Sequence, residues 1–470
     1  MSLSQDNPLG ILPSVDAVLQ HLTARERLDG IPHRLLTDAI REAVQHYRRQ
    51  LAASALPAMT DRDELTRTIA KRAERLAREA ARPYYRKAIN ATGIILHTGL
   101  GRAVLPPVAL QRLVQELAGY SILQIDPEDG KRSRRDVRIE WLIRKLTCAE
   151  AATVVNNNAA ATMIVLNTIA HGREVIVSRG QLVEIGGSFR LPEVMALSGA
   201  KLVEVGTTNK THARDYEQAI TENTAAILRV HPSNYHIQGF TAEVPLERLV
   251  EIAHARGLPL IDDVGAGSLM DYRRLGWPEE PTLPDSIQAG ADLVLSSTDK
   301  LIGGPQGGLI LGKKDLIERI RKNPLARALR VDKLTLSLLE STLLQFLDEN
   351  VALREIPTLA LMRRTVAEVR EQAERIANGM RSACPHVGIE IIDGFSQMGS
   401  GSLPGQDLPT VLVALDPPAG ADELARRLRE STPAVVARIA KDRVLLDPRT
   451  VLPGEEPVLI DVVVNALKQK

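Results

Sequence analysis

Leu293–Gly308 reads LVLSSTDKLIGGPQGG. The apolar run Leu293-Val294-Leu295 ends in small hydroxyl residues; Asp299 and Lys300 follow, then a cluster of glycines. A short apolar run closed by turn residues reads as a buried strand. Gly303 and Gly304 let backbone pass close to whatever the lysine holds. Taken alone, Lys300 is either a surface-loop residue or the covalent anchor of an aldehyde. Its neighbours along the chain bear on that choice.

From about Lys87 to Lys300, short apolar runs alternate with helical patterns: ATVVNNNAAATMIVLNTIA, EVIVSRG, KLVEVGTTN, TAAILRVHPSN, LPLIDDVGAGS and ADLVLSSTDK. Strands separated by helices predict βαβ units and a mostly parallel sheet. GGLILGKK follows the lysine loop without an intervening helix and reads as an antiparallel strand. ALRVDKLTLSLLESTLLQFL then reads as one long helix.

The first segment is helical by pattern. Ser14 caps SVDAVLQHL, HRLLTDAIREAVQHYRRQLAA repeats apolar residues at helical spacing, and after a break at 55–57 an Arg-rich helix runs to Pro83. The last segment predicts a helix over TVAEVREQAERIANGMRSA, strands IEIID and TVLVALD, a helix DELARRLRE and strands in AVVARIAKDRVLLD. SQMGSGSLPGQDLP reads as its loop. The expected division is therefore a helical domain 1–86, an α/β domain 87–350 and a small α+β domain 351–470.

Composition sets the outer bounds. The chain has 470 residues, 44% hydrophobic and 25% charged, an ordinary globular profile long enough for two or three domains. A net charge of +1 provides no general attraction for polyanions, so nucleic-acid binding must come from a local patch. The two cysteines, Cys148 and Cys384, form no metal spacing and fit a reducing compartment. The opening MSLSQDNPLG lacks the features of a signal peptide, and no run approaches the ~20 apolar residues of a membrane span. These features predict a cytoplasmic protein with no membrane contact and no metal.

In open α/β sheets ligands sit beyond the carboxyl ends of the strands, so the residues after each strand matter most. They are Asn156-Asn157-Asn158-Ala159-Ala160, then Gly206-Thr207-Thr208-Asn209, His231-Pro232-Ser233-Asn234, Asp262-Asp263 and Ser297-Thr298-Asp299-Lys300. Small and amide residues opening a helix suit a phosphate. That turn, an acid and a lysine, in that chain order, suit pyridoxal 5′-phosphate. Its aldehyde needs an amine, its ring nitrogen a carboxylate, and its phosphate N–H and hydroxyl donors. The candidates are Lys300 for the aldehyde and Asp263 for the ring nitrogen. The turn Asn157, Asn158 and Ala159, with Ser296 or Ser297, is the phosphate candidate, and His231 lies beside the cofactor. Each piece also has a plain reading: a surface lysine, a loop acid or helix cap, a half-buried histidine, ordinary turn chemistry. TGLGRA lacks the third glycine of a dinucleotide fingerprint, GGPQGGLILGKK is not a Walker loop, and no Cys/His set supports a metal.

At these residues the chain resembles a family, the bacterial selenocysteine synthases, or L-seryl-tRNA(Sec) selenium transferases. The strings that carry the resemblance include LPSVDAVL, INATGIILHTGLGRA, VVNNNAAA, VEIGGSFR, HPSNYHIQGFT, DDVGAGSL, DKLIGGPQGG and SQMGSGSLP, spread over nearly the whole length. The resemblance implies a fold-type-I pyridoxal phosphate-dependent transferase with a helical N-terminal tRNA-binding domain. It implies conversion of seryl-tRNA(Sec) to selenocysteinyl-tRNA(Sec) through aminoacrylyl-tRNA, with selenophosphate as selenium donor. It places the aldehyde on Lys300, gives Asp299 a part in loss of the seryl hydroxyl, and assigns anion binding to Arg102, Arg327 and Arg330 with Thr207 and Thr208. It further implies a homo-oligomer, a ring of dimers with sites at dimer interfaces.

Arginine forks fit the oxygens of a small multiply charged anion, and Arg327 and Arg330 stand one helical turn apart. The chain carries Thr298 and Ile122 where the family usually has Gly and Asn. Arg62, Arg67, Lys71, Arg72, Arg75, Arg78, Arg82, Arg86 and Lys87 lie on or beside the Arg-rich helix, against Asp63, Glu64, Glu74 and Glu79. This basic excess makes it the candidate tRNA surface, with a solvated helix face as the equal reading from composition. With only 3% aromatic residues, shape and phosphate contacts are favoured over base stacking. The alternatives are a lyase of the same superfamily acting on a small amino acid or amino-sugar acid, and a tRNA-binding protein without catalysis.

Overall fold

The computed structural model describes residues 8–25, 30–53, 61–185, 189–275 and 280–469. The break expected at 55–57 and residues 186–188 of the VEIGGSFR string lie outside them. Two compact units form, Met1–Lys87 and Ala88–Lys470.

The first unit holds helices Val15–Arg25, His33–Ala52 and Arg62–Ala81. Ser14 accepts Ala17 N–H at 3.2 Å, and Asp61 accepts Asp63 N–H at 2.9 Å, so both helix starts are capped. Val18, Leu36, Ile40, Leu65, Ile69 and Ala73 form the core between the helices. Arg62, Arg67, Lys71, Arg75 and Arg78 are exposed on the third helix. Three of these pair with acids: Arg67 with Asp61, Arg75 with Glu79, Arg78 with Glu74.

In the second unit the apolar runs build a seven-stranded sheet. Its order is Ala151–Val155, Gly308–Gly312, Leu293–Ser297, Leu260–Gly265, Thr224–Val230, Glu174–Ser178 and Lys201–Val205. The last five strands pair in parallel. Gly308–Gly312 is antiparallel to both its neighbours, as its place straight after the lysine loop suggested. Residues of Ala151–Val155, Leu293–Ser297 and Gly308–Gly312 are all buried. Apolar clusters on each side explain why these strands are continuous hydrophobic runs rather than alternating ones.

A second sheet runs Ala88–Ala91, Ala434–Ala440, Arg443–Leu446, Ser402–Asp416 and Gly388–Gly399. Helix Val366–Ala383, begun by the capping box of Thr365 and Glu368, covers it together with Ala421–Glu430 and Glu456–Lys468. Upstream of that box, Ala352, Ile356, Leu359 and Met362 pack into a core of the large sheet.

Three local expectations change. SQMGSGSLPGQDLP is not a loop but the end of a long hairpin, turning only at Ser400–Gly401. Gly399, Ser400, Gly401, Leu403 and Gly405 all have positive φ and the register shifts between Gln397 and Gly399, so its glycines serve a bulged hairpin tip. The single long helix is two pieces, Leu325–Ala328 and Lys333–Gln345. Asp332 starts the second by accepting Leu334 and Thr335 N–H. Arg330 thus falls between the helices, and the shared helical face expected for it and Arg327 does not form. Ala88–Ala91, finally, pairs in parallel with Ala434–Ala440 and so belongs to the second sheet.

Candidate active site

The parallel strands bring their carboxyl ends to one edge, where the residues that follow the central strands meet. Lys300 follows Leu293–Ser297 and is buried. Its loop is tightly braced. Thr298 N–H bonds Gly307 O (3.0 Å), Gly304 N–H bonds Thr298 O (2.8 Å) and Gly303 N–H bonds Lys300 O (2.9 Å). Thr298 Oγ1 donates to Pro305 O at 2.5 Å. Gly303 has φ +73°, a conformation a side chain resists. Burial pushes the Lys300 ammonium below the ordinary lysine range; the nearby Arg102 guanidinium adds to this, while Asp299, Asp263 and Glu280 oppose it.

Asp263, on the neighbouring strand, is buried and accepts three hydrogen bonds: Asn158 Nδ2 (2.8 Å), Thr162 Oγ1 (2.9 Å) and Gly265 N (3.0 Å). Burial still raises its pKa above the usual carboxylate value, against the pull of those donors. Asp262 faces the other way, held by Arg229 (2.8 Å) and Ser286 (2.7 Å). His231 ends Thr224–Val230 and donates its backbone N–H to Asp263 O.

The NNN turn divides its work. Asn157 caps helix Asn158–Ala170, its side chain accepting Ala160 N–H at 2.9 Å. Asn158 spends its side-chain amide on Asp263. The first backbone amides of the helix, that of Ala159 among them, have no carbonyl partner within the helix, as at any helix N-terminus. Gly308 lies against this turn: a Cβ there would stand 2.1 Å from Asn157 O and 2.9 Å from Asn158 N. Because both are backbone atoms, Gly308→Ala is expected to cost about 1–3 kcal/mol in overpacking. A lowered melting temperature and weaker cofactor uptake would show it.

Asp299 is buried beside Lys300, and Arg102 Nη1 reaches its Oδ2 at 2.8 Å. Arg102 has φ +63°, so the chain holds it there in a conformation few residues adopt. Ser297 ends the strand, buried, while Asn156 Oδ1, Asn158 Oδ1 and Ser233 Oγ are buried without a partner among the described residues. A buried amine of weakened basicity, a buried acid held by three donors and a helix N-terminus fit pyridoxal 5′-phosphate, and the unpaired polar atoms leave donors and acceptors for its substituents.

The other anion candidates are not gathered. Thr207 and Thr208 are exposed after the edge strand Lys201–Val205, and Thr207 Oγ1 is used inside its own turn, on Lys210 O at 3.0 Å. Arg327 and Arg330 are exposed beside the opposite edge, where Arg330 bridges Val155 and the Leu329 carbonyl receives Asn156 N–H. Six strand spacings, roughly 29 Å, separate those edges, farther than two side chains span. Both arginines, with Arg132, press on Arg135, whose pKa is lowered by burial first and then by Arg330.

Two contributors escaped the sequence. Thr162 stands one turn after Asn158, and that i, i+4 spacing could have revealed it. Glu280, buried near His231, sits in no motif.

Sheet order, antiparallel insertion and lysine loop define a fold-type-I pyridoxal phosphate-dependent enzyme. The chain belongs to the L-seryl-tRNA selenium transferase family, whose model matches residues 88–452, and a selenocysteine synthase N-terminal model matches residues 9–48. The L-seryl-tRNA(Sec) selenium transferase of Solidesulfovibrio magneticus is 46% identical over 98% of this chain and 98% of its own. That of Nitratidesulfovibrio vulgaris is 44% identical over 97% and 98%. Among solved structures, a D-glucosaminate-6-phosphate ammonia-lyase superposes with a TM-score of 0.56 at 22% identity, covering 82% of this chain and 96% of its own. At that identity it speaks for the fold alone.

Proposed function

We propose that this chain converts L-seryl-tRNA(Sec) to L-selenocysteinyl-tRNA(Sec), with pyridoxal 5′-phosphate as cofactor and selenophosphate as selenium donor. The observation that carries the reading is Lys300, buried and under the charges of Asp263 and the Arg102–Asp299 pair, in a chain matched along nearly its full length by transferases of that name. Bound pyridoxal phosphate supplies an aldehyde for an amine and a ring that draws electrons from the adjacent carbon. Lys300 would anchor it, Asp263 would serve the ring nitrogen, and the Asn158–Ala159 amides would take the phosphate, with His231 and Ser297 alongside. Lys300 would also take the seryl α-proton, a role to which its lowered pKa suits it. Asp299 serves the departing β-hydroxyl. Arg102, now on Asp299, is the group an incoming selenophosphate competes for.

The division of Thr207 and Thr208 from Arg327 and Arg330 supports a selenophosphate site completed by a second copy, hence a homo-oligomer built from dimers. Exposed Val114, Tyr120 and Ile122 give such an interface apolar surface. The N-terminal unit binds the tRNA through phosphate contacts along the Arg62–Ala81 helix. Among the described residues no helix is long and apolar enough to cross a membrane, and a chain acting on aminoacyl-tRNA works in the cytoplasm. The lyase alternative leaves the N-terminal unit without a task.

Selenium transfer from selenophosphate to seryl-tRNA(Sec) tests the proposal. The full chain is expected to form selenocysteinyl-tRNA, and a chain lacking residues 1–87 to lose that turnover. Full turnover without the N-terminal unit would remove the tRNA reading.

A further inference from the structure

One buried carboxylate near the catalytic lysine has no part in the scheme above. The Glu280 side chain is 3% exposed and its Oε1 has no hydrogen-bond partner among the described residues. A carboxylate removed from water with an oxygen unpaired is costly to bury. The ionisable side chain that faces it is His231, with Nε2 3.7 Å from Oε1. That is ion-pair range but longer than a hydrogen bond, and a small turn of the imidazole closes the gap. Both groups belong to the site. His231 is tied by its backbone to Asp263 at 2.9 Å, and Glu280 is one of three acids whose field reaches Lys300.

We propose that Glu280 is a positioning residue that acts through His231. Its carboxylate accepts the Nε2–H of the imidazole, fixes the plane of the ring and leaves Nδ1 as the acceptor offered to bound cofactor and substrate. A carboxylate behind a histidine sets tautomer and orientation in the same way in metal sites. The field of Glu280 at Lys300 does not by itself fill Oε1, which has no hydrogen-bond partner among the described residues and faces the imidazole. The inference rests on the cofactor reading of the site.

A double-mutant cycle on pyridoxal 5′-phosphate uptake by the full-length apo-chain tests it. The readouts are the dissociation constant and the visible absorbance maximum, with melting temperature followed in parallel. Glu280→Ala is expected to weaken uptake about tenfold and to move the absorbance maximum. Glu280→Gln, which keeps the volume and a carbonyl acceptor, is expected to stay within about threefold. In a His231→Ala background, Glu280→Ala should cost nothing further. Equal losses in the two backgrounds would overturn the proposal, as would unchanged uptake and absorbance in Glu280→Ala. Should Glu280→Ala fail to fold, Glu280→Asp, which draws the carboxylate back by one methylene, carries the same cycle and the same criteria. No uptake by the unsubstituted chain would overturn the cofactor reading and this inference with it; normal uptake with additive losses overturns the role of Glu280 alone.

Discussion

Lys300→Ala is expected to abolish selenium transfer, lowering turnover by at least roughly 10⁴-fold, because one substitution removes both the covalent anchor and the base for the α-proton. Among the described residues no second lysine is among the charges that act on the amine, which are Asp299, Asp263, Glu280 and Arg102. Borohydride reduction of the loaded chain should leave a pyridoxyl adduct on Lys300, and none at position 300 in the variant. An adduct on a different lysine would refute the assignment. A second measurement reads the site without turnover. Burial places the folded-state pKa of Lys300 below the ordinary 10.5. Between those two values the unfolded chain binds more protons than the folded one, so stability rises with pH across the window. Below the window the folded chain bears the full cost of a buried cation. The apo-form of Lys300→Met should therefore melt above the apo-form of the parent at neutral pH, and the gap should narrow as pH approaches 10.5. A gap that is constant with pH would mean that the lysine is not held in a desolvated place.

Much of this site could be read from strand ends. The lysine loop, Asp263 and the NNN turn are local strings on strands buried along all or nearly all of their length, so hydrophobic runs and turn residues mark them directly. The antiparallel Gly308–Gly312 strand was legible because no helix separates it from the loop. What escaped depends on distant pairing. Ala88–Ala91 becomes a strand only against Ala434–Ala440, and nothing near residue 88 announces that partner. The hairpin tip was misread because glycine and proline look alike in a loop and in a bulged turn. Arg327 and Arg330 were placed on one helix face since spacing alone could not show Asp332 starting a new helix. Thr207 and the arginines stand on opposite sheet edges because strand order, unlike strand identity, is a long-range property. Glu280 reaches His231 from a segment with no recognisable pattern. Local chemistry was thus visible in the sequence, and the pairing of one charged group with another was not.

Asp263→Asn is expected to separate folding from function. The substitution keeps the shape and an acceptor oxygen, and the Thr162 hydroxyl can turn to accept from the new amide, so the Asn158, Thr162 and Gly265 contacts can be re-formed. What disappears is the negative charge proposed to meet a protonated ring nitrogen; the adjacent Asp262 cannot take its place, since it is bound to Arg229 and Ser286. Loss of such a preorganised charge is expected to lower kcat by roughly 10²–10³. Stability should move the other way in the apo-chain. Burial raises the Asp263 pKa above its ordinary 3.8, so between 3.8 and the raised value the folded chain holds more protons than the unfolded one, and stability falls as pH rises through that window. At neutral pH the parent apo-chain carries that cost and the asparagine variant does not. Apo Asp263→Asn should therefore melt no lower than the parent, while the rise in melting temperature on adding pyridoxal 5′-phosphate should shrink, because the stabilising cation now meets a neutral amide. Full turnover in Asp263→Asn would show that the ring nitrogen finds its charge elsewhere. A large fall in apo stability would show instead that the carboxylate serves the fold, because a group kept mainly for its three donors would be missed with or without the cofactor.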